Sequence, residues 1–309
     1  MVMIPRPILT RRSSLLKLAV LGFGFVAILS YHSALPEKNQ PAVKSVISPD
    51  EQSHQVFFYD DWRFFQATKN VERKIYDSKQ KVAGGIVPHH LLASDMIADF
   101  FKRLSIQKPD TIILLGPNHP EAGNFKALSS LHDWQTPFGL LKSRRGAVNT
   151  FLDRNLVKID EDVLAQEHSV AGIMPFIKYY LPDATVVPVI ISGTMDSREA
   201  EMLAEALNGT MTENTVIVSS VDFSHYLPAD QAAKNDELTL DLIKQFDYQS
   251  IFRLGNGYLD SPPSIAILLM SMEKINASKV ELLQHANSAD FLENQEGKGI
   301  TSYFSLIFE

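Results

Sequence analysis

Along the body of this chain, short apolar runs give way to turn residues and then to helical periodicity, and the cycle repeats. Val82 to Val87 is the first run; it ends in Pro88-His89-His90 and precedes a helical pattern over Leu91–Leu104. Thr111 to Leu115 is the second and ends in Gly116-Pro117-Asn118-His119. Thr185 to Ile191 leads through Ser192-Gly193 to a helix from about Ser197 to Leu207. Thr215 to Ser220 ends in Asp222-Phe223-Ser224-His225-Tyr226 and precedes a helix through about Ile243. Lys279–His285 and Thr301–Phe308 close the sequence as two further strands. Continuous apolar runs of this length suit strands buried on both faces, and their alternation with helices predicts an α/β class fold. The expectation is a single domain over 81–309, with a mostly parallel or mixed central sheet flanked by helices.

The N-terminal end follows another pattern. Leu18 to Tyr31 carries no charge, and counting from Leu15 gives an apolar stretch of 17 residues, with Lys17 able to snorkel. Five basic residues against one acid give residues 1–40 a charge of +4. The remainder holds 24 basic and 35 acidic side chains, or −11, so the overall −7 describes neither part. A basic flank before an apolar run predicts an N-terminal membrane helix, or a cleaved secretory signal as the alternative, within residues 1–34. The positive flank then stays inside, which places the body on the extracytoplasmic face as a membrane-anchored domain. Residues 35–80 read as a proline-containing tether with an aromatic docking segment, Val56 to Phe65.

Composition narrows the chemistry. The acidic balance argues against nucleic-acid binding, which needs a basic surface. The absence of cysteine excludes disulfides, thiolate metal sites, iron–sulfur clusters and a cysteine nucleophile. Any metal must be held by His, Asp or Glu. Neither a glycine-rich phosphate loop nor a nucleophile elbow is present. Three histidines, His89, His119 and His225, follow predicted strands, and the carboxyl ends of strands carry ligand sites in open α/β sheets. Imidazoles with a carboxylate suit a divalent metal that keeps open coordination positions, as in non-haem iron and catalytic zinc sites. Glu167-His168-Ser169 reads either as a second part of this cluster or as a helix cap with a surface histidine. Asp222 with Ser224 is either site or turn chemistry. His132 precedes a turn-like segment, and His32, His54 and His285 have no supporting neighbours in sequence.

The ordered set G-I-V-P-H (85–89), L-L-G-P-N-H (114–119), W-Q-T-P-F-G (134–139), E-H-S (167–169), V-P-V-I-I-S-G (187–193) and S-S-V-D-F-S-H-Y (219–226) resembles the Memo family. Prokaryotic members are often called AmmeMemoRadiSam system protein B, and the resemblance covers about residues 80–309. It implies a LigB-like fold, similar to class III extradiol ring-cleaving dioxygenases. It also implies His89 and His119 as metal ligands and His225 as a third pocket histidine. Asp222 and the segment around His168 would line or support that pocket, so that His225, His168 and Asp222 form the implied catalytic set. The family's third metal position is commonly a cysteine; in this chain it falls near Asp260. An aspartate there either completes a two-histidine, one-carboxylate site or caps the helix beginning near Pro262.

Such a donor set points first to iron(II), with manganese, zinc and copper as other metals it takes. Two functions follow: a metal-dependent, dioxygenase-like oxidoreductase on a small organic substrate, or a non-catalytic protein that binds a ligand or metal in the same pocket. A radical-SAM partner is implied only by the family's habitual name.

Overall fold

The computed structural model describes residues 52–292 and 299–309. Its strands are β1 (Ser53–Gln55), β2 (Gly84–Val87), β3 (Thr111–Pro117), β4 (Ala127–Ser129), β5 (Asp133–Thr136), β6 (Gly139–Ser143), β7 (Lys158–Ile159), β8 (Thr185–Ile191), β9 (Thr215–Ser220), β10 (Phe223–Leu227), β11 (Val280–Asn287) and β12 (Ile300–Phe308). The helices are α1 (Asp61–Val71), α2 (Ser94–Gln107), α3 (Arg145–Asp153), α4 (Glu161–Gln166), α5 (His168–Ala171), α6 (Met174–Tyr180), α7 (Ser197–Thr210), α8 (Ala229–Lys244), α9 (Tyr248–Ile251) and α10 (Pro262–Lys274).

The strands form one mixed sheet in the order β1-β5-β6-β8-β3-β9-β2-β12-β10, with β11 on β12 and β4 on β7 and β8. From β6 to β2 every neighbour is parallel. β12 then runs antiparallel to β2, β10 and β11. The period of two sorts β3 cleanly. Ile112 and Leu114 enter the core on one face with Phe100 and Phe101 of α2 and Phe176 of α6. Ile113 and Leu115 enter the other with Leu203 and Leu207 of α7 and Leu268 of α10. Both faces are thus covered, as the unbroken apolar runs required.

Helices can approach β2 closely because it begins with two glycines. A Cβ on Gly85 would sit 2.3 Å from the Phe100 ring of α2, and one on Gly84 would meet Met272 Sδ of α10 at 2.6 Å. Gly116 works the same way at the end of β3, where a Cβ would lie 2.6 Å from Ser169 Oγ of α5. Close approach, rather than the tight bend its place after an apolar run suggests, is what this glycine provides.

Residues 52–83, which include the aromatic segment Val56 to Phe65, hold a strand and a helix, and the rest of the expected tether lies outside the described residues. β1 pairs in parallel with β5, and α1 starts at Asp60, whose side chain accepts from Arg63 N–H. Phe64, Ala67 and Val71, on one helical face, are buried, with Phe64 stacked on Phe138 at 4.7 Å and beside Phe176. The dense aromatics around Phe58 and Phe65 conceal this period in the sequence. Likewise W-Q-T-P-F-G is a hairpin, pairing Thr136 with Gly139, which takes φ +110°.

The membrane helix requires correction. The apolar stretch Leu15–Tyr31 lies outside the described residues, and among the described residues no helix is long and apolar enough to cross a membrane. The richest apolar helix, α10, has 13 residues, about 20 Å at 1.5 Å per residue against the ~30 Å of a bilayer core, and it is buried against the sheet. The fold is therefore a mixed α/β sheet with flanking helices, without a spanning helix in its definition. The membrane-anchored, extracytoplasmic placement, with its secreted alternative, rested on that helix and is withdrawn with it.

Candidate metal centre

Four chain segments meet at the carboxyl edge of the parallel strands. Pro88-His89 leaves β2, Asn118-His119 leaves β3, and Val221-Asp222 leaves β9. Asp260, just before α10, is tied there by its N–H donating to the Asp222 carbonyl at 3.1 Å. Asp260 does not cap α10, because Ser261 does so by accepting from Ser264 N–H.

Hydrogen bonds orient each imidazole. His89 N–H donates to Asp222 Oδ1 at 3.0 Å, and its ring Nδ1 lies 3.2 Å from the Ser220 carbonyl oxygen. A carbonyl only accepts, so Nδ1 carries the hydrogen and Nε2 turns to Asp260 Oδ2 at 3.3 Å. His119 repeats the pattern. Its N–H and its Nδ1 both bond Glu167, at 2.9 and 2.8 Å, and its Nε2 points to the same Asp260 Oδ2 at 3.6 Å. Glu167 also accepts from Ser169 N–H as the cap of α5, so cap and site are one residue. Asp222 Oδ2 stands 3.6 Å from His89 Nε2.

Two imidazole lone pairs and a carboxylate therefore converge, all acceptors unless a cation lies between them. Asp260 Oδ1 is buried without a hydrogen-bond partner. A buried polar atom left so is costly, and a divalent ion is one remedy the donor set fits. Protons are the other. Burial alone would depress the His89 ring, but Asp222 and Asp260 outweigh it and push its pKa up to about 9. Burial likewise opposes charge on His119, while hydrogen bonds to Asp260 and Glu167 raise it to about 10. Asp260 is held far below the carboxylate range: burial raises it, but the two histidines more than compensate. Metal binding would displace those protons.

His168, the first residue of α5, stacks on His119 at 4.3 Å and 23° and stands edge-on to His89 at 5.1 Å. Burial, and then the charges of His89 and His119, lower its pKa to about 4. Among the described residues, two sets of ligand atoms within 4.8 Å of one another share His89: one with His119 and His168, the other with Asp222 and Asp260.

His225 belongs to neither set. It sits on β10 between Ser224 and Tyr226, at φ +20° and +57°, with its Nδ1 buried and unpartnered. His90 turns aside to Tyr303 Oη at 2.6 Å. Thus His89, His119, Asp260, Asp222 and His168 come together, and His225 lies outside both ligand sets yet near enough for its charge to act on Asp260. Glu167 was legible only as part of a motif; its double hold on His119 depends on a contact across 48 residues of chain.

The family model described as Memo-like protein matches residues 63–305. A MEMO1 family protein of Saccharolobus islandicus (strain M.14.25 / Kamchatka #1) is 28% identical over 246 residues, 74% of this chain and 86% of that protein. One from Pyrobaculum aerophilum is 29% identical over 218 residues, 67% of this chain and 77% of its own length. One from Pyrobaculum arsenaticum is 27% identical over 262 residues, covering 81% and 92%. Among solved structures, an uncharacterized protein from Escherichia coli K12 aligns with TM-score 0.46 and 12% identity, over 72% of this chain and 99% of that one.

Proposed function

The chain belongs to the Memo-like family, and from that premise we propose that it is a metal-dependent oxidoreductase acting on a small organic substrate. His89, His119 and Asp260 hold the ion. The observation that carries this reading is the convergence of two Nε2 atoms on Asp260 Oδ2, with Asp260 Oδ1 left unpaired in the interior. Iron(II) is the metal of choice, since two imidazoles and one carboxylate leave coordination positions free for substrate and dioxygen. When bound, such an ion supplies Lewis acidity and redox capacity at those positions.

The chain's own residues do the rest. Ser220 and Glu167 fix the two ring tautomers, so that each Nε2 is ready to ligate. His168 is the proton acceptor. Its Nδ1 faces Glu167 at 3.3 Å, which leaves Nε2 free, and burial with the neighbouring His89 and His119 charges favours the neutral ring. His225 is the second proton-carrying group, through its unpartnered Nδ1. Asp222 steadies His89 through the backbone N–H and supplies negative charge beside the ring.

A second reading keeps the same site without turnover, as a protein that captures metal or ligand. It is favoured by the site's narrow exposure: the side chains of His89 and Asp260 are 2% and 4% accessible, and His119 31%. Metal content of anaerobically purified protein tests both readings. Stoichiometric metal in the parent, lost in His89→Ala, is expected; a parent without it would overturn the metal centre. Catechol-type substrates with iron(II) then separate the two, since failure to open any ring leaves the binding protein.

A further inference from the structure

A second group of metal-ligating side chains lies at the β1 margin of the sheet, where β1 joins β5. His54, on β1, places Nε2 at 2.9 Å from Glu161 Oε2, the first residue of α4. His132, just before β5, places Nδ1 at 3.7 Å from the same oxygen. The three ligand atoms all lie within 4.8 Å of one another. For bonds of about 2.0–2.1 Å, tetrahedral ligands stand about 3.3 Å apart, and the two stated separations bracket that value.

The orientation of His132 adds an independent argument. Its Nε2 lies 2.6 Å from Gln52 Oε1, an acceptor, so the hydrogen sits on Nε2 and the Nδ1 lone pair faces the carboxylate. Two acceptors then oppose one another, which a cation between them resolves. The outer hydrogen bond that fixes the tautomer of a ligating histidine is the arrangement found around bound metals. Ser130 Oγ, 2.8 Å from His54 Nε2, offers a further oxygen. Trp134 closes the floor, 4.6 Å from the His54 ring, while His132 and Glu161 remain about a quarter exposed, so the ion can enter.

We propose that His54, His132 and Glu161 form a second divalent-metal site, of zinc-like chemistry, which clamps the segment at residues 52–55 to the body. His54 precedes the family-matched residues 63–305, while His132 and Glu161 lie within them, so the site joins a segment outside the matched body to the body itself. It makes no use of His89, His119 or Asp260, and it stands whether or not the first centre is catalytic.

The test counts zinc bound by the chelator-stripped full chain and its variants. His132→Ala, on a partly exposed ring, should remove one equivalent from the parent and one from the His89→Ala protein. Glu161→Gln should do the same. Zinc should also raise the melting temperature of His89→Ala and fail to raise that of His89→Ala/His132→Ala, because only an ion bound by the native state stabilises it. An unchanged zinc count on His132→Ala in both backgrounds would show a hydrogen-bonded clasp without an ion and overturn the proposal. Loss of zinc in His89→Ala alone, with the His132 equivalent intact, bears on the first centre only.

Discussion

The two histidine clusters share one donor set, two imidazoles and a carboxylate, and differ in how well the protein satisfies them unaided. At the strand ends, each ring has its Nδ1 committed to an acceptor and Asp260 Oδ1 has no partner. At the sheet margin, Glu161 Oε1 accepts from Leu131 N–H at 3.0 Å, and Ser130 and His54 both donate to Oε2. One cluster is frustrated without a proton or a metal, the other largely content. Burial sharpens the contrast, because an unsatisfied group costs most where water cannot reach it. The first cluster should therefore bind an ion tightly and the second more weakly.

The largest expected effect is on Asp260. Asp260→Ala should abolish stoichiometric metal at the first centre while His132→Ala leaves it in place, as metal analysis of both would register. Equal losses would erase the distinction. Next comes Glu167→Gln, which loosens the ring of His119; metal affinity should fall ~10–100-fold in titrations, the usual range for an outer partner of a ligating histidine.

The pH response is subtler. In the metal-stripped protein the raised histidines, at about 9 and about 10, contribute stability that is complete below the unfolded value near 6.5. That contribution is lost as pH rises through the folded values, so melting temperatures should drop between about pH 7 and 10. Metal affinity should climb over the same interval as protons leave the ligands. The smallest effect is His132→Ala without metal, which should cost no more than about 1 kcal/mol in urea unfolding, since it removes one partly exposed hydrogen bond.

Much of the first centre was legible in the sequence because strand, turn and histidine are adjacent in the chain. The runs at Val82–Val87, Thr111–Leu115, Thr185–Ile191 and Thr215–Ser220 each coincide with a strand of the parallel sheet, since double burial leaves an unbroken apolar signature. β1 and β7, of three and two residues, left no such trace, and α1 was hidden among aromatics. His54 had no supporting neighbour in sequence because its partners lie 76 and 107 residues away. His225 is not among the ligand atoms that converge on His89, although its charge still reaches Asp260, and His168, stacked on His119, stands edge-on to His89.

β2 is the strand that delivers His89, and its flank away from β9 is closed by β12, which pairs Leu306 with Ile86, about 220 positions apart in the chain. Contacts so distant in sequence form slowly, because a long loop must be closed before they contribute anything. A zinc finger folds around its ion within one short segment; here the ligands are spread over about 170 residues, from His89 to Asp260. With ligands drawn from residues 89 to 260, the centre is expected to be filled as a late step, and adding metal during refolding should leave the folding rate unchanged.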